Sequence, residues 1–269
     1  MKEYIEVIFF GDIIGRPGRY AVAKYLNELE NKPDFVIANV ENASHGFGLT
    51  EKNYNELVNI GINALTSGNH IWDKNEIFKY IDKADRLVRP LNYPEGTPGV
   101  GSRIFKVGEI SICVINVLGR IFMSPMDSPW TTLENEIKKN QYETPIIIID
   151  FHAEATAEKI SLGYFADRLG ISAFIGTHTH IQTADEKFLE NNTAYITDVG
   201  CCGASKSVIG MDIETSVKRL KTGLPVRFEV ASLDESQINA VRILIKAKTG
   251  CAEKIERINY FIKVSEVKD

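Results

Sequence analysis

Five apolar segments of this chain lead directly into polar residues of the kinds that bind metal ions. Each segment has the length and the β-branched or aromatic content of a buried strand. The segments and the residues that follow them are Ile5–Phe10 with Gly11-Asp12, Phe35–Val40 with Glu41-Asn42, Ala64–Ser67 with Gly68-Asn69-His70, Ile146–Phe151 with His152, and Ala173–Thr177 with His178-Thr179-His180. In open α/β sheets, ligands bind outside the carboxyl ends of the strands. We therefore expect one sheet to bring these segments into a single cleft.

Helical patterns lie between several of these strands. The predicted helices are Arg19–Leu29 (preceded by Pro17-Gly18), one that starts at Thr50-Glu51, Asp73–Ile81, and Ala153–Leu169 as the longest. Alternation of strands with helices indicates an α/β fold with both faces of the sheet covered. Further strands are predicted at Ile110–Val117, Ala194–Ile196, Pro225–Leu233, Gln237–Lys248 and Lys254–Val264, the last three as an antiparallel or mixed element.

The domain organisation follows from length and from two irregular stretches. A chain of 269 residues can form one large domain or two small ones. Arg86–Arg103 and Asn116–Trp130 are irregular, but apolar residues interrupt both, so we predict ordered loops and not linkers. We expect a single domain over residues 1–269, with ordered loops at about 86–130 over the active-site face.

Charge and composition limit the functional classes. The net charge of −5 does not favour binding to an extended nucleic acid or to an acidic membrane surface. No apolar stretch reaches membrane-spanning length, and Met1–Phe10 lacks a signal-peptide core. The four cysteines show no Cys-x-x-Cys spacing, which favours reduced thiols. We expect a cytoplasmic protein.

The polar residues at the strand ends predict a dinuclear metal site. The candidate ligands are Asp12, Glu41, Asn42, Asn69, His152, His178 and His180. These groups form the usual ligand set for Zn, Mn or Fe, and they exceed what one tetrahedral ion requires. Two ions that share a carboxylate could hold a bridging hydroxide for attack on phosphorus. His70 is the candidate general acid for the leaving oxygen.

Each candidate also has a structural interpretation when taken alone. Asp12 could cap a helix, Glu41-Asn42 could form a polar loop, and Asn69 after Gly68 could belong to a turn. Their joint occurrence at strand ends favours the metal site. His45 lies in a glycine-rich loop and is predicted to be exposed or to line the cleft. Asp150 and Asp198 also end strands, where orienting a histidine ligand and capping are equally good interpretations.

The same motifs resemble those of a known enzyme family. Gly11-Asp12, Gly68-Asn69-His70 and Gly176–His180 are similar to signatures of calcineurin-like metallophosphoesterases. More narrowly, most of the chain resembles the bacterial YmdB-like subfamily, through the stretches FFGDIIGRPGR, NVENASHGFGLT, TSGNHIWD, DFHAEATAEK, GTHTHIQTAD and ITDVGCCG. The resemblance implies a four-layered α/β/β/α sandwich with mixed sheets and two metal ions. It also implies phosphodiesterase activity on 2′,3′-cyclic nucleotides.

The resemblance assigns roles to the same candidate residues. Each of the candidate ligands matches a metal position of the family, with Glu41 as the bridging carboxylate and His70 as the catalytic histidine beside the phosphate. The wider superfamily has Asp-x-His in its first motif, but Ile13-Ile14 follow Asp12 here. One ion therefore loses an imidazole, for which Asn42 is the natural substitute. The harder oxygen ligands favour Mn or Fe at least as strongly as Zn.

We therefore expect a dinuclear metal-dependent phosphodiesterase with a small phosphorylated substrate, preferably a cyclic nucleotide. Two alternatives are a phosphomonoesterase or nucleotidase that uses the same cleft, and a nucleotide-binding regulatory protein with little turnover. No membrane partner and no extended nucleic-acid surface are expected. The resemblance suggests self-association into a homo-oligomer.

Overall fold

The protein consists of β-strands and short helices over residues 2–263, the part of the chain that this computed structural model describes. The strands are β1 (Tyr4–Phe10), β2 (Asp12–Ile13), β3 (Phe35–Asn39), β4 (Ala64–Thr66), β5 (Leu87–Val88), β6 (Ser102–Val107), β7 (Ile110–Leu118), β8 (Ile146–His152), β9 (Ala173–Thr177), β10 (Lys187–Phe188), β11 (Ala194–Ile196), β12 (Cys201–Ala204), β13 (Glu235–Lys246) and β14 (Ala252–Lys263). The helices are α1 (Gly15–Glu28), α2 (Glu51–Asn59), α3 (Ile77–Tyr80), α4 (Pro129–Asn140), α5 (Thr156–Asp167) and α6 (Ile213–Thr222).

The strands form two mixed sheets. The first has the order β2-β12-β13-β1-β3-β4-β5, with β14 paired to β13, and the second has the order β10-β11-β9-β8-β7-β6. In the first sheet β1, β3 and β4 run parallel. In the second sheet β7, β8, β9 and β11 run parallel. The parallel strands of each sheet therefore direct their carboxyl ends toward one edge.

The two sheets pack face to face, and helices cover both outer faces. Side chains alternate along each strand, so a strand buried on both sides supplies two different cores. In β8, Ile146 and Ile148 join β1 residues in the core between the sheets, whereas Ile147 and Ile149 pack with α4 and α5. On the other side, Ile8 and alternate residues of the first sheet pack against α1 and α2. The predicted α/β/β/α sandwich is confirmed.

Most predicted strands are present at or near their predicted bounds. Each of the apolar segments that precede the polar motifs is a strand, and so are the predicted segments at 110–117 and 194–196. The two C-terminal strands form the antiparallel hairpin β13–β14. The predicted end of the last strand, Val264, lies outside the described residues, as do Met1 and residues 265–269 of the predicted domain.

The prediction of a strand at Pro225–Leu233 was wrong. Only an isolated bridge between Met211 and Val230 forms there. Pro225 has no backbone donor for a ladder, and the segment packs Phe228 against Phe47 beside the cleft instead of extending a sheet.

Helix bounds differ from the predictions where the chain bends around the cleft. The predicted helix Ala153–Leu169 shortens to α5, because Ala155 has an extended backbone. At 14 residues α1 is longer than α5, and it takes in Pro17, whose missing N–H is tolerated in a first helical turn. The predicted helix Asp73–Ile81 starts only at Ile77, because the N–H groups of residues 71 and 73 close turns onto Gly68 and His70.

The expectation that one sheet assembles the cleft was also wrong. The segments that end in Asp12, Glu41 and Asn69 leave the first sheet, whereas those that end in His152 and His178 leave the second. Within the predicted loop region 86–130, residues 102–118 contain strands β6 and β7. No helix within residues 2–263 has the length and apolar character to cross a bilayer.

The core between the sheets is expected to dominate stability. Ile148 is fully buried there, so Ile148→Ala should lower the free energy of unfolding by about 2–5 kcal/mol through lost burial and a residual cavity. Urea unfolding followed by circular dichroism measures the change. Val217→Ala, at a side chain that is 50% exposed on α6, should change the value by no more than about 0.5 kcal/mol. Equal effects of both substitutions would contradict this assignment of the core.

Candidate metal centre

The imidazole of His152 lies at the centre of a cluster drawn from both sheets. Its Nε2 atom is 3.1 Å from Oε1 of Glu41, 3.1 Å from Oδ1 of Asn69 and 3.0 Å from Nδ1 of His178. Glu41, His152 and His178 form a group whose ligand atoms all lie within 4.8 Å of one another. Four potential ligand atoms thus meet where the two sheets face each other.

The other ring nitrogen of His152 is held from behind. Its Nδ1 atom lies 2.9 Å from Oγ1 of Thr177, and that hydroxyl donates to Oδ1 of Asp150 at 2.7 Å. Since the hydroxyl proton points to Asp150, the Thr177 oxygen accepts from Nδ1–H of His152. The Nε2 atom of neutral His152 then carries a lone pair. This is the tautomer that a metal ligand requires.

Several oxygens around this cluster lack a hydrogen-bond donor among the described residues. They are Oδ1 of Asp12, Oε1 of Glu41 and Oδ1 of Asn42, and all three side chains are buried. A buried polar atom without a partner costs about 1–3 kcal/mol. Buried oxygens that lack a hydrogen-bond donor are well suited to bind cations. The residues present therefore fit a metal site.

His180 contributes to the side of the cluster next to Asp12. Its Nδ1 atom donates to the carbonyl oxygen of Ile209 at 3.0 Å, which leaves Nε2 unprotonated in the neutral ring. That Nε2 atom lies 3.8 Å from Oδ1 of Asp12. An unprotonated imidazole nitrogen of His180 and a carboxylate oxygen of Asp12 thus face each other beside the cluster.

The pKa values of the cluster show that its carboxylates stabilise positive charge. Burial lowers the pKa of His152, but the carboxylates of Glu41, Asp12 and Asp150 outweigh burial and raise it to about 9. Burial raises the pKa of the Glu41 carboxyl, but the charge of His152 outweighs it and holds the pKa at about 2. Burial, with the neighbouring His152, lowers the pKa of His178 to about 3. The carboxylates thus draw a proton onto His152 when no other cation is near.

The turn that carries His178 and His180 adopts an unusual backbone. Both residues have positive φ, 98° and 66°, which non-glycine residues rarely adopt. Oδ2 of Asp198 accepts from the backbone N–H and the hydroxyl of Thr179 between them, at 3.0 and 2.7 Å. The buried Lys159 ammonium lies 2.7 Å from the same oxygen and donates to the Thr177 carbonyl. The ion pair therefore holds the turn in place.

The close approach of the two sheets requires glycine before Asn69. A Cβ atom at Gly68 would lie 2.3 Å from Oε2 of Glu41 and 2.5 Å from the ring of His152. No side chain fits between these groups. The glycine of the Gly-Asn-His motif therefore allows the strand end to reach the cluster.

His70 lies beside the cluster on the wall of a cavity of about 380 Å³. Its backbone N–H donates to Oε2 of Glu41 at 2.9 Å, which ties its position to the cluster. Its Nδ1 atom is 2.9 Å from Oδ2 of Asp73, and its ring packs edge-on against Phe47 at 4.9 Å. An imidazole held through Nδ1 presents Nε2 for proton exchange with a ligand.

The structure brings the candidate residues together and separates one histidine from them. The residues in and around the cluster are Asp12, Glu41, Asn42, Asn69, His70, His152, His178 and His180. His45 is exposed and lines neighbouring cavities, outside the cluster. Sequence reasoning had no signal for Thr177 behind His152 or for Glu154, whose carboxylate is 3.2 Å from Nε2 of His178. The spacing of Asp73 from His70 was a signal that sequence reasoning did not use.

Comparison with known proteins assigns this arrangement to a family. The family model described as YmdB-like protein matches residues 8–258. The chain belongs to the YmdB-like protein family. The resemblance of the strand-end motifs to this family is confirmed.

Individual proteins match this chain over nearly their whole length. A 2′,3′-cyclic-nucleotide 2′-phosphodiesterase of Bacillus subtilis (strain 168) is 50% identical over 256 residues, which cover 94% of this chain and 96% of that protein. The crystal structure of a hypothetical protein from Thermus thermophilus has a TM-score of 0.90 at 36% identity, covering 96% of this chain and 99% of the other. The crystal structure of a novel phosphatase from Mycoplasma pneumoniae has a TM-score of 0.90 at 35% identity, and the match covers 98% of this chain and 96% of the other.

The buried ion pair behind the histidine turn should be essential for stability. Lys159→Met removes the ammonium and leaves the Asp198 carboxylate buried without its cation, so the free energy of unfolding should fall by about 3–5 kcal/mol. Lys248→Met, at an exposed lysine, serves as the matched control and should leave stability within about 0.5 kcal/mol. Thermal and urea unfolding of both variants measure the difference. An unchanged Lys159→Met protein would rule out the proposed role of the pair.

Proposed function

We propose that this chain is a metal-dependent phosphodiesterase that hydrolyses 2′,3′-cyclic nucleotides. The observation that carries the proposal is the meeting of Glu41, Asn69 and His178 ligand atoms at Nε2 of His152, within 3.0 to 3.1 Å. Sites that hold cations between carboxylate, amide and imidazole groups are suited to displacement at phosphorus. The substrate class comes from the 50% identical Bacillus subtilis relative, a 2′,3′-cyclic-nucleotide 2′-phosphodiesterase by name.

The ligand set divides into two groups that share one carboxylate. Asn69 Oδ1, His152 Nε2 and His178 Nδ1 would hold one ion, and Asp12 Oδ1, Asn42 Oδ1 and His180 Nε2 would hold the other. Glu41 touches the first group and would be the shared ligand. The mixture of oxygen and imidazole ligands favours Mn or Fe, and it also accommodates Zn.

When bound, two such ions activate water as a nucleophile and neutralise the charge of the phosphoryl oxygens. The chain itself supplies the proton for the leaving oxygen. Asp73 accepts from Nδ1 of His70, and Phe47 supports the ring, so that Nε2 of His70 can carry a proton toward the substrate. As the water oxygen joins phosphorus it would release a proton to solvent, the bond from phosphorus to the 2′ oxygen would break, and the 2′ oxygen would take a proton from Nε2 of His70.

The choice between diester and monoester chemistry is tested by substrate comparison. The purified protein should hydrolyse 2′,3′-cyclic nucleotides and bis(p-nitrophenyl) phosphate with higher kcat/KM than p-nitrophenyl phosphate. Faster turnover of the monoester would instead support a phosphomonoesterase. Tight nucleotide binding that survives metal removal, without turnover of any ester, would instead support a regulatory protein.

Loss of a ligand should lower metal content and activity together. Asn69→Ala and His152→Ala each remove one atom from the cluster, so metal affinity should fall by at least about tenfold. Metal analysis of the purified variants and kcat/KM on a cyclic nucleotide measure the two effects. Asn75→Ala, at an exposed asparagine without a side-chain hydrogen bond among the described residues, is the matched control. Full activity in metal-depleted His152→Ala protein would contradict the proposal.

Replacement of His70 should separate metal binding from proton transfer. His70→Ala should retain its metal ions and lose about 10²–10⁴-fold in kcat on a cyclic nucleotide, whose leaving alkoxide needs a proton. The loss should be much smaller on bis(p-nitrophenyl) phosphate, because nitrophenolate leaves without protonation. An equal loss on both substrates would exclude general-acid catalysis by His70. Asp73→Asn should also lower kcat more on the cyclic nucleotide than on bis(p-nitrophenyl) phosphate, but by a smaller factor than His70→Ala.

A further inference from the structure

A row of cavities along the protein surface starts at the cavity of about 380 Å³ beside His70, which we call the site cavity. The site cavity is followed by one of about 560 Å³ and then by one of about 510 Å³. Phe228 lines all of them, and the middle cavity shares Phe47 and His70 with the site cavity. A substrate whose reacting phosphate lies next to His70 therefore has adjoining cavities beyond that phosphate.

The middle cavity is lined by cationic side chains that the proposed chemistry does not use. They are Lys74, Arg219 and Arg227. None of the three lies within ion-pair distance of a carboxylate in residues 2–263. The carboxylate of Asp73 also lines this cavity, but it is bonded to Nδ1 of His70. In a chain of net charge −5, this cluster is a local excess of positive charge next to the site.

Aromatic rings accompany these cations. The Arg219 guanidinium lies 4.3 Å from the ring centre of Phe228 and donates to the Val226 carbonyl at 3.1 Å, so its position is defined. The ring of Phe228 lies 6.4 Å from that of Phe47, which in turn contacts His70. Grooves that combine cations with aromatic faces are typical of proteins that bind the backbone and bases of single-stranded nucleic acid. The guanidinium fork also matches the geometry of phosphate oxygens.

We propose that Lys74, Arg219 and Arg227 form a subsite for a phosphate on the 5′ side of the nucleotide that carries the cyclic phosphate. This inference rests on the proposed function, because it positions the substrate by its reacting phosphate at His70. The second phosphate is either a 5′-monophosphate or the phosphodiester that joins the terminal nucleotide of an oligonucleotide to its neighbour. The row of cations is short, so the subsite takes the end of a single strand and not an extended nucleic acid.

Substrates that differ only on the 5′ side test the subsite. The values of kcat/KM are compared for adenosine 2′,3′-cyclic phosphate, its 5′-phosphorylated form, and a 3′–5′ linked dinucleotide of adenosine that ends in a 2′,3′-cyclic phosphate. We expect at least about tenfold higher kcat/KM for a substrate with the second phosphate, mainly through KM. Preference for both forms identifies phosphate as the ligand, and preference for the dinucleotide alone identifies the phosphodiester. Equal values for all three substrates would overturn the inference.

Arg227 offers the cleanest variant, because its side chain makes no hydrogen bond or ion pair among residues 2–263 and is exposed. Arg227→Ala should reduce the ratio of kcat/KM between the 5′-phosphorylated and unphosphorylated substrates at least about threefold, and Lys74→Ala/Arg227→Ala should bring it close to one. Lys221→Ala, on α6 but outside the cavities, should retain the ratio. The ratio should also shrink as salt concentration rises. A ratio that survives the double variant would overturn the inference.

The failure of the proposed function would be distinguishable from the failure of the subsite. If no cyclic phosphate is hydrolysed, the phosphodiesterase proposal fails, and calorimetric binding of AMP against adenosine still tests the subsite. If AMP binds more tightly than adenosine, and Lys74→Ala/Arg227→Ala removes this difference in affinity, the subsite is supported. Equal binding of AMP and adenosine overturns it.

Discussion

The convergence of ligand lone pairs on Nε2 of His152 is the constraint on which the rest of the structure depends. The carboxylate of Glu41, the amide oxygen of Asn69 and the imidazole of His178 each place an acceptor atom 3.0 to 3.1 Å from Nε2 of His152, and such an arrangement is repulsive unless positive charge lies among them. The raised pKa of His152 likewise shows that the surrounding carboxylates stabilise a positive charge at this position. A fold that buries these atoms must offset their cost elsewhere, through supporting hydrogen bonds and through the cations that we propose.

The supporting structure lies in the layers behind the cluster. Thr177 and Asp150 fix the tautomer of His152, and Lys159 with Asp198 holds the backbone turn that carries His178 and His180. Thr177 and Asp150 come from the neighbouring parallel strands β9 and β8, Asp198 comes from the segment after β11, and Lys159 comes from α5, which packs on the outer face of the second sheet. The rigid core between the sheets sets the distance at which the two strand edges face each other. Substitutions far from the cleft can therefore change the geometry of the cluster.

Much of the secondary structure and the candidate site could be predicted from the sequence, because strand periodicity and polar strand ends are local signals. The segments 5–10, 35–38 and 146–149 are strands as predicted, and their alternating side chains supply separate cores. Predictions failed where tertiary contacts override local preference. Pro225–Leu233 has an apolar pattern but packs beside the cleft, and the segment after His70 forms turns before α3 begins. Local periodicity cannot reveal such contacts.

The sequence by itself determined which residue types end the strands, and therefore the kind of chemistry that the cleft can support. Only the tertiary structure decided that Asp12, Glu41 and Asn69 come from one sheet and His152 and His178 from another. It alone placed Thr177 behind His152, Asp73 against His70, and a row of cations beside the site. The physical reason is that strand periodicity is encoded in neighbouring residues, whereas the pairing of two sheet edges depends on burial shared between residues far apart in the chain.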